Sequence, residues 1–285
     1  MSKVWWDGWL WELGFSICHQ RLERMLFFGE RPLFVCARDT GLLVSFFTLM
    51  LALSLLRGRD KAGMPPWPIL AAAAAGVLFL AWDGLTSYLG FRESTNTLRF
   101  LSGFAAGAGL AFPAAALVNG EVFGGDRSAK VGARPSDLVA AGSAGGAALI
   151  LYLWHPGPLF RLGQLWLLAS LLGTFWVLNL LLIYLVHAKE GGGLTLKRAA
   201  LAVLLTAFEL AGSYWLHRLF AGGGPSPVPG SRRAAPYWPR IAGESGLKMG
   251  MTDRCGIFIL SLGKSCGDRE LSRLGGFECM QKKRR

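Results

Sequence analysis

The sequence predicts an all-α integral membrane protein with about six transmembrane helices in a bundle. Hydrophobic residues make up 52% of the 285 residues, and only 17% are charged, whereas soluble domains average about 25% charged residues. The eleven tryptophans agree with this prediction, because an indole ring with its polar N–H favours the membrane interface. We therefore expect the lipid bilayer to be the main partner of the chain.

The chain before the first span, residues 1–39, is predicted to be a short interfacial segment that carries a Cys/His motif. A helix rich in aromatic side chains can lie along the membrane surface. Four tryptophans occur in residues 1–14, namely Trp5, Trp6, Trp9 and Trp11. We expect this part of the segment to form such a surface helix.

Six apolar stretches between Thr40 and Phe220 form the predicted transmembrane domain, residues 40–220. A span takes about 20 mostly apolar residues. The six predicted spans cover residues 40–56, 68–89, 98–119, 137–154, 163–187 and 198–220. Each should be a helix, because hydrocarbon offers the backbone no hydrogen-bond partners. Gly103 and Gly107 have the small-x3-small spacing that lets two helix backbones approach closely.

Residues 221–285 differ in composition and are predicted to be a disordered basic tail. They hold 12 Lys and Arg against five Asp and Glu, and so contribute +7 of the formal net charge of +12. The sequence shows no basic face with interleaved aromatic residues, so we exclude nucleic acid as a partner.

Two short motifs before the first predicted span indicate a metal site. Cys18 and His19 are adjacent, and Asp39 follows Cys36 by three residues, a spacing that lets two side chains meet one ion at a helix start. Thiolate, imidazole and carboxylate groups are the ligands that Zn²⁺ and related late transition metals prefer. The predicted ion is zinc, with a structural role favoured over catalysis; two buried thiols without a metal are the alternative.

A second group of polar residues is predicted to lie on the same membrane face. Ionisable groups at membrane depth are costly, so they usually pair or mark a function. The group consists of Arg38, Asp83, Arg92, Asn96 and Arg99, and Asp83 is expected to pair with one of the three arginines. Either a structural ion-pair network or a site for an anionic small molecule fits this pattern, because arginine offers a planar fork of donors.

The alternative function is a small transporter or channel-like protein in which polar residues within the spans line a path. Its candidate residues are Asp83, Asn179 and Glu209. His155 lies on the predicted site face and is a further candidate there. No phosphate-binding glycine loop or known catalytic template occurs, so the catalytic residues are unknown and the question of an enzyme stays open.

The polar motifs carry a resemblance to a known family. Cys18-His19-Gln20 with Arg24, then Cys36-Ala37-Arg38 with Thr40-Gly41, then Gly90-x-Arg92-x-Ser94-x-Asn96-x2-Arg99, resemble a family of prokaryotic polytopic membrane proteins known only as a domain of unknown function. The resemblance covers roughly residues 15–110. It implies a shared site at these residues and a multi-pass location in a prokaryotic cytoplasmic membrane.

Two positions depart from the family pattern. Leu22 stands where the pattern has proline, and Asp39 stands where it has the second thiol of a Cys-x2-Cys pair. A carboxylate can still ligate zinc, although it is a harder ligand than a thiolate. A disulfide between these two positions is excluded, because Asp39 has no sulfur.

Overall fold

Seven α-helices make up most of the part of the chain that the structure describes. The computed structural model describes residues 2–56, 59–154, 156–186 and 194–220. The helices are α1 (Ser2–Phe15), α2 (Ala37–Leu51), α3 (Trp67–Tyr88), α4 (Asn96–Leu117), α5 (Pro135–Trp154), α6 (Phe160–Val186) and α7 (Leu196–Phe220). The predicted disordered tail, residues 221–285, and His155 lie outside the described residues.

Six of the helical segments are long and apolar enough to cross a membrane, which confirms the predicted fold class. These segments are Ala37–Leu55, Trp67–Tyr88, Asn96–Val122, Pro135–Trp154, Gly157–Val186 and Leu196–Phe220. The first begins three residues before the predicted start at residue 40, so Asp39 belongs to the first turn of α2 rather than to the preceding segment. The other starts lie one to six residues from their predicted positions.

Helix α4 packs between α2 and α3. Its contact with α2 has the close approach that the glycine spacing predicts. A side chain on Gly103 would collide with the carbonyl oxygen of Arg38, and one on Gly107 with that of Leu42. Helix α6 packs against α2 and α7, and α5 packs against α2.

The amino-terminal segment is more structured than the sequence predicts. Helix α1 is followed by a 3-10 turn, Leu22–Arg24, and by an antiparallel pair of strands, β1 (Met25–Phe28) and β2 (Arg31–Cys36). Leu10 and Trp11 of α1 are buried in the same core cluster as Leu33 and Phe34 of β2. The helix predicted near the start of the chain is therefore present, and it packs on the hairpin.

A second pair of strands joins two loops at the other end of the bundle. Strands β3 (Lys61–Gly63) and β4 (Asp126–Lys130) pair in parallel. They follow α2 and α4, each of which continues into a π-helical turn, Ala52–Leu56 and Val118–Val122 respectively. Neither pair of strands is evident from the hydrophobicity of the sequence.

Contacts between distant segments identify the parts of the chain that meet at one end of the bundle. The Asn96 side chain donates a hydrogen bond to the Met25 carbonyl at 2.9 Å, and the ring nitrogen Nδ1 of His217 lies 2.7 Å from the carbonyl oxygen of Phe15. The amino-terminal segment, the start of α4 and the end of α7 thus meet at one end of the bundle. We call this end the hairpin face, after β1 and β2.

Candidate functional site

The loop after α1 is held in place by a buried glutamine. Gln20 is fully buried, and its Nε2 donates to the carbonyl oxygens of Trp11 at 2.5 Å and Phe34 at 3.1 Å. Its backbone has a positive φ of 49°, a conformation that few residues other than glycine adopt. Gln20 therefore fixes the position of the neighbouring Cys18 between α1 and β2.

The second thiol lies where β2 ends and α2 begins. Cys36 is the N-cap residue of α2, and its carbonyl accepts a hydrogen bond from the Thr40 hydroxyl at 3.0 Å. Its thiol donates to Oδ2 of Asp39 at 3.0 Å. A carboxylate in the first turn of a helix is also favoured by the positive end of the helix dipole. The step from strand to helix thus brings Cys36 and Asp39 together.

Cys18, Cys36 and Asp39 form a group with the dimensions of a metal site. One ligand atom from each, either Sγ or a carboxylate oxygen, lies within 4.8 Å of the other two. Both thiols are partly buried. Two thiolates on one zinc ion lie roughly 3.7 Å apart, given a Zn–S bond of about 2.3 Å. The group therefore needs only small side-chain movements to coordinate one ion.

The two thiols differ in their tendency to ionise. Hydrogen bonds from the Cys36 thiol and from backbone N–H groups lower the pKa of Cys18. The pKa of Cys36 is raised, first because its proton is shared with Cys18 and then because of burial and the negative charge of Asp39. Cys18 is thus the first thiolate of the pair.

His19 does not belong to this group of three. Its side chain is exposed, and its ring lies against that of His217 with 5.0 Å between the centroids. Its predicted role as the fourth ligand stays a prediction, and it requires the ring to turn away from α7.

Asp83 is the centre of the second polar group. Its side chain is fully buried, and it pairs with Arg38 and Arg92. Arg38 Nε donates to Oδ2 at 3.1 Å, and an Arg92 terminal nitrogen donates to Oδ1 at 2.6 Å. The hydroxyls of Ser94 and Ser102 complete the set at 2.6 and 3.3 Å. Charged and neutral donors thus satisfy both carboxylate oxygens, as a buried charge requires.

The other two predicted members of the polar group bond to each other rather than to Asp83. Arg99 donates to the Asn96 side-chain oxygen at 2.9 Å. Asn96 in turn donates to the carbonyl of Met25, which pairs with Cys36 across the hairpin. Asn96 therefore connects the start of α4 to β1, the strand that pairs with the one carrying the second thiol.

Comparisons with known proteins place these motifs in a family. Residues 18–112 match the family described as "Predicted membrane protein (DUF2085)". An uncharacterized protein of Methanothermobacter thermautotrophicus is 38% identical over 95 residues, which cover 33% of this chain and 81% of that protein. This chain belongs to the family.

A second relative extends the same comparison. An uncharacterized protein of Methanocaldococcus jannaschii is 34% identical over 97 residues, which are 34% of this chain and 60% of that protein's own length. No solved structure matches the chain. The family region, residues 18–112, contains all the residues of the two polar groups, whereas α5, α6 and α7 lie outside it.

The residues of the alternative transporter function occupy separate places in the bundle. Asp83 is on α3, which packs mainly on α4. Asn179 on α6 donates to Glu209 on α7 at 2.9 Å and to the Thr206 hydroxyl at 3.1 Å. Glu209 is exposed on the protein surface. The three candidate residues therefore form two unconnected groups.

Some buried polar residues are not predicted from the sequence. Gln20 belongs to a motif but has no predicted role, and Ser102 carries no signal in the sequence, although both are fully buried. At the other end of the bundle, Lys61 pairs with Asp137 at 2.5 Å, and the Asn119 side chain donates to the Lys61 carbonyl at 2.8 Å. The only signal for this pair in the sequence is one lysine and one aspartate close to the ends of spans.

Proposed function

We propose that this protein is a zinc-binding integral membrane protein whose metal centre lies on the hairpin face. The observation that carries the proposal is the meeting of Cys18, Cys36 and Asp39 within 4.8 Å. These residues come from two separate parts of the chain, the loop after α1 and the junction of β2 with α2, and two thiols with a carboxylate are suitable zinc ligands. Water or His19 would supply the fourth ligand of a tetrahedral site.

The proposed role of the ion is structural. Cys18 lies in the loop after α1, Cys36 ends β2, and Asp39 is in the first turn of α2. One ion would therefore join the amino-terminal helix and the hairpin to the first transmembrane span. Metal binding of this kind contributes directly to the free energy of folding, because the unfolded chain has no preformed site.

A hydrolytic role is the less favoured use of the same ion. A zinc-bound water becomes a nucleophile when a nearby base accepts its proton. Asp39 would be a metal ligand, and the nearby Asp83 is held by two arginines. These two carboxylates are therefore engaged in binding rather than in proton transfer.

Metal analysis of the full-length protein tests the proposal. We expect about one zinc per chain by inductively coupled plasma mass spectrometry after purification in a neutral detergent. The Cys18→Ala/Cys36→Ala variant should lose it, and Asp39→Asn should weaken its retention during dialysis. Ligand removal lowers affinity because each missing ligand leaves the ion incompletely coordinated.

The tail provides a matched control for loss of thiols. A variant with Cys255→Ser, Cys266→Ser and Cys279→Ser removes three thiols but leaves the proposed ligands intact, so it should keep its zinc. Well-folded wild-type protein without bound metal would overturn the proposal. Zinc lost only from the tail variant would do so as well.

A further inference from the structure

Four arginines of the family region, residues 18–112, are partly buried on the hairpin face. Two of them, Arg38 and Arg92, share the single carboxylate of Asp83. The other two are Arg24 and Arg99. Among the described residues, no carboxylate forms an ion pair with either of them. One negative charge thus faces two of the arginines, and the other two lack a paired anion.

The backbone places Arg24 next to Arg99. Arg24 immediately precedes Met25, whose carbonyl accepts the hydrogen bond from Asn96. The oxygen of the same Asn96 side chain accepts from Arg99 at 2.9 Å. One asparagine therefore contacts the chain beside Arg24 and the guanidinium of Arg99. Both arginine side chains are partly buried, and their charges interact unfavourably.

Two partly buried like charges held close together favour a bound counter-charge. Asp39 does not supply it, because among the described residues it forms no ion pair with Arg24 or Arg99. A bound zinc would not change this balance. Two thiolates, one carboxylate and one divalent ion carry a single net negative charge, the same charge as the Asp39 carboxylate alone.

We propose that Arg24 and Arg99 bind a phosphate group on the hairpin face, beside the thiol group. Guanidinium forks match phosphate oxygens in geometry, and two of them match a doubly charged group in charge. Arg99 lies in the first turn of α4, where the helix dipole also favours an anion. Arg38 and Arg92 are excluded from this role, because Asp83 occupies their donors.

The phosphate has two sources with the same chemistry, namely a soluble phosphate compound or the headgroup of an acidic lipid. The site lies where α2 and α4 begin, at the end of two candidate spans, so both sources have access. The inference does not depend on a bound metal, and its experiment measures phosphate and lipid rather than zinc.

Binding is measured on the full-length protein in neutral detergent. The first probe is inorganic phosphate, compared with chloride at equal ionic strength, and the readout is the midpoint of thermal unfolding followed by tryptophan fluorescence. The second probe is phosphatidic acid, compared with phosphatidylcholine, and the readout is lipid retained in native mass spectrometry. A response to phosphatidic acid alone identifies a lipid headgroup, and a response to both identifies the phosphate group itself.

The decisive variants are Arg24→Gln and Arg99→Gln. Each should raise the phosphate or lipid concentration for half-maximal effect about tenfold, since each removes one charged donor fork. Arg21→Gln is the matched control, because Arg21 is an exposed arginine of the same loop; its binding should equal that of the wild type.

If a glutamine variant does not fold, the lysine variants test whether the two arginines bind phosphate. Arg24→Lys and Arg99→Lys keep the charge but lose the planar fork, so binding should weaken severalfold, whereas Arg21→Lys should have no effect. The proposal is overturned if wild-type protein responds to neither probe, or if the Arg21 variants weaken binding as much as the Arg24 and Arg99 variants do.

Discussion

Arg38 on α2 binds the buried carboxylate of Asp83 on α3, with 3.1 Å between Nε and Oδ2. The two helices pack mainly against α4 rather than against each other, so this ion pair links spans that share few other contacts. Arg38 is also the neighbour of Asp39, which accepts the Cys36 thiol hydrogen bond. The first turn of α2 therefore connects the proposed metal centre to the ion-pair network.

Removing the central carboxylate should destabilise the protein strongly. Asp83→Asn leaves Arg38 and Arg92 without their shared counter-charge, while Asp83 is fully buried. Loss of one partner of a buried ion pair costs on the order of 3 kcal/mol. We expect a decrease of this size in the free energy of unfolding, measured by SDS titration of the detergent-solubilised protein.

Asp7→Asn is the control for that measurement. It removes an ion pair with Arg161 whose two side chains are 32% and 37% exposed, and such exposed pairs contribute about 0–1 kcal/mol. Equal effects of Asp7→Asn and Asp83→Asn would show that the Asp83 network has no special structural role.

The sequence predicts which residues belong to this network, but it does not predict which of them form ion pairs with each other. Asp83, Arg92 and Arg38 stand out because charge is rare in apolar spans. Which arginine meets Asp83 depends on how α2, α3 and α4 are rotated about their axes, and hydrophobicity does not determine that rotation. The prediction left three arginines open, and the structure assigns Arg38 and Arg92 to Asp83 but Arg99 to Asn96.

The proposed zinc site makes a prediction about stability. A chelator that removes zinc should lower the thermal unfolding midpoint of the wild-type protein, because bound metal stabilises only the folded state. The Cys18→Ala/Cys36→Ala variant should unfold at about the midpoint of the chelated wild type, and the chelator should not lower it further. Tryptophan fluorescence during heating gives both midpoints.

The control for the chelator is re-addition of the metal. Zinc in slight excess should restore the wild-type midpoint and leave the double variant unchanged. A chelator effect of equal size in both proteins would place any bound metal elsewhere in the chain, and the proposed ligands would then be wrong.

The close approach of α2 and α4 should not tolerate a methyl group. Gly103→Ala would force its new carbon against the Arg38 carbonyl, in the same turn that holds Asp39 and Arg38. Overpacking of this kind costs about 1–3 kcal/mol. We expect SDS titration to show that loss, together with weaker zinc retention, because the first turn of α2 must move.

Gly142→Ala is the matched control for the glycine variant. Gly142 also lies inside a transmembrane helix, α5, but a side chain there would meet no atom within 4 Å. Alanine should be neutral or slightly stabilising, because it forms helix more readily than glycine. If both variants lose the same stability, the close helix contact is not the cause.

Strands β3 and β4, at the end of the bundle opposite the hairpin face, are not predicted from the sequence. Strands β3 and β4 contain three and five residues, and they pair across 62 or more intervening positions rather than with a neighbour in the chain. Short polar strands have no hydrophobic alternation, which is the signal for half-buried strands. Lys61 begins β3, and Asp137 lies in the first turn of α5. Without the strand contact, the sequence indicates only a loop lysine and a helix-start aspartate, and it does not predict that they pair.

The contributions of Lys61 and Asp137 to the free energy of unfolding should be coupled. Their side chains are 11% and 2% exposed, and Nζ lies 2.5 Å from Oδ1. Lys61→Met alone removes the ammonium partner of a buried carboxylate and should cost on the order of 3 kcal/mol. The double variant Lys61→Met/Asp137→Leu should recover at least half of that loss, because no isolated charge is left. SDS titration of the two single variants and the double variant gives the coupling energy.

Arg127→Gln is the control, because it breaks an exposed pair with Glu121 at the same end of the bundle. It should change the free energy of unfolding by less than about 1 kcal/mol. Additive losses in the double variant would contradict the buried pair, and they would mean that each side chain stabilises this end of the bundle through separate contacts.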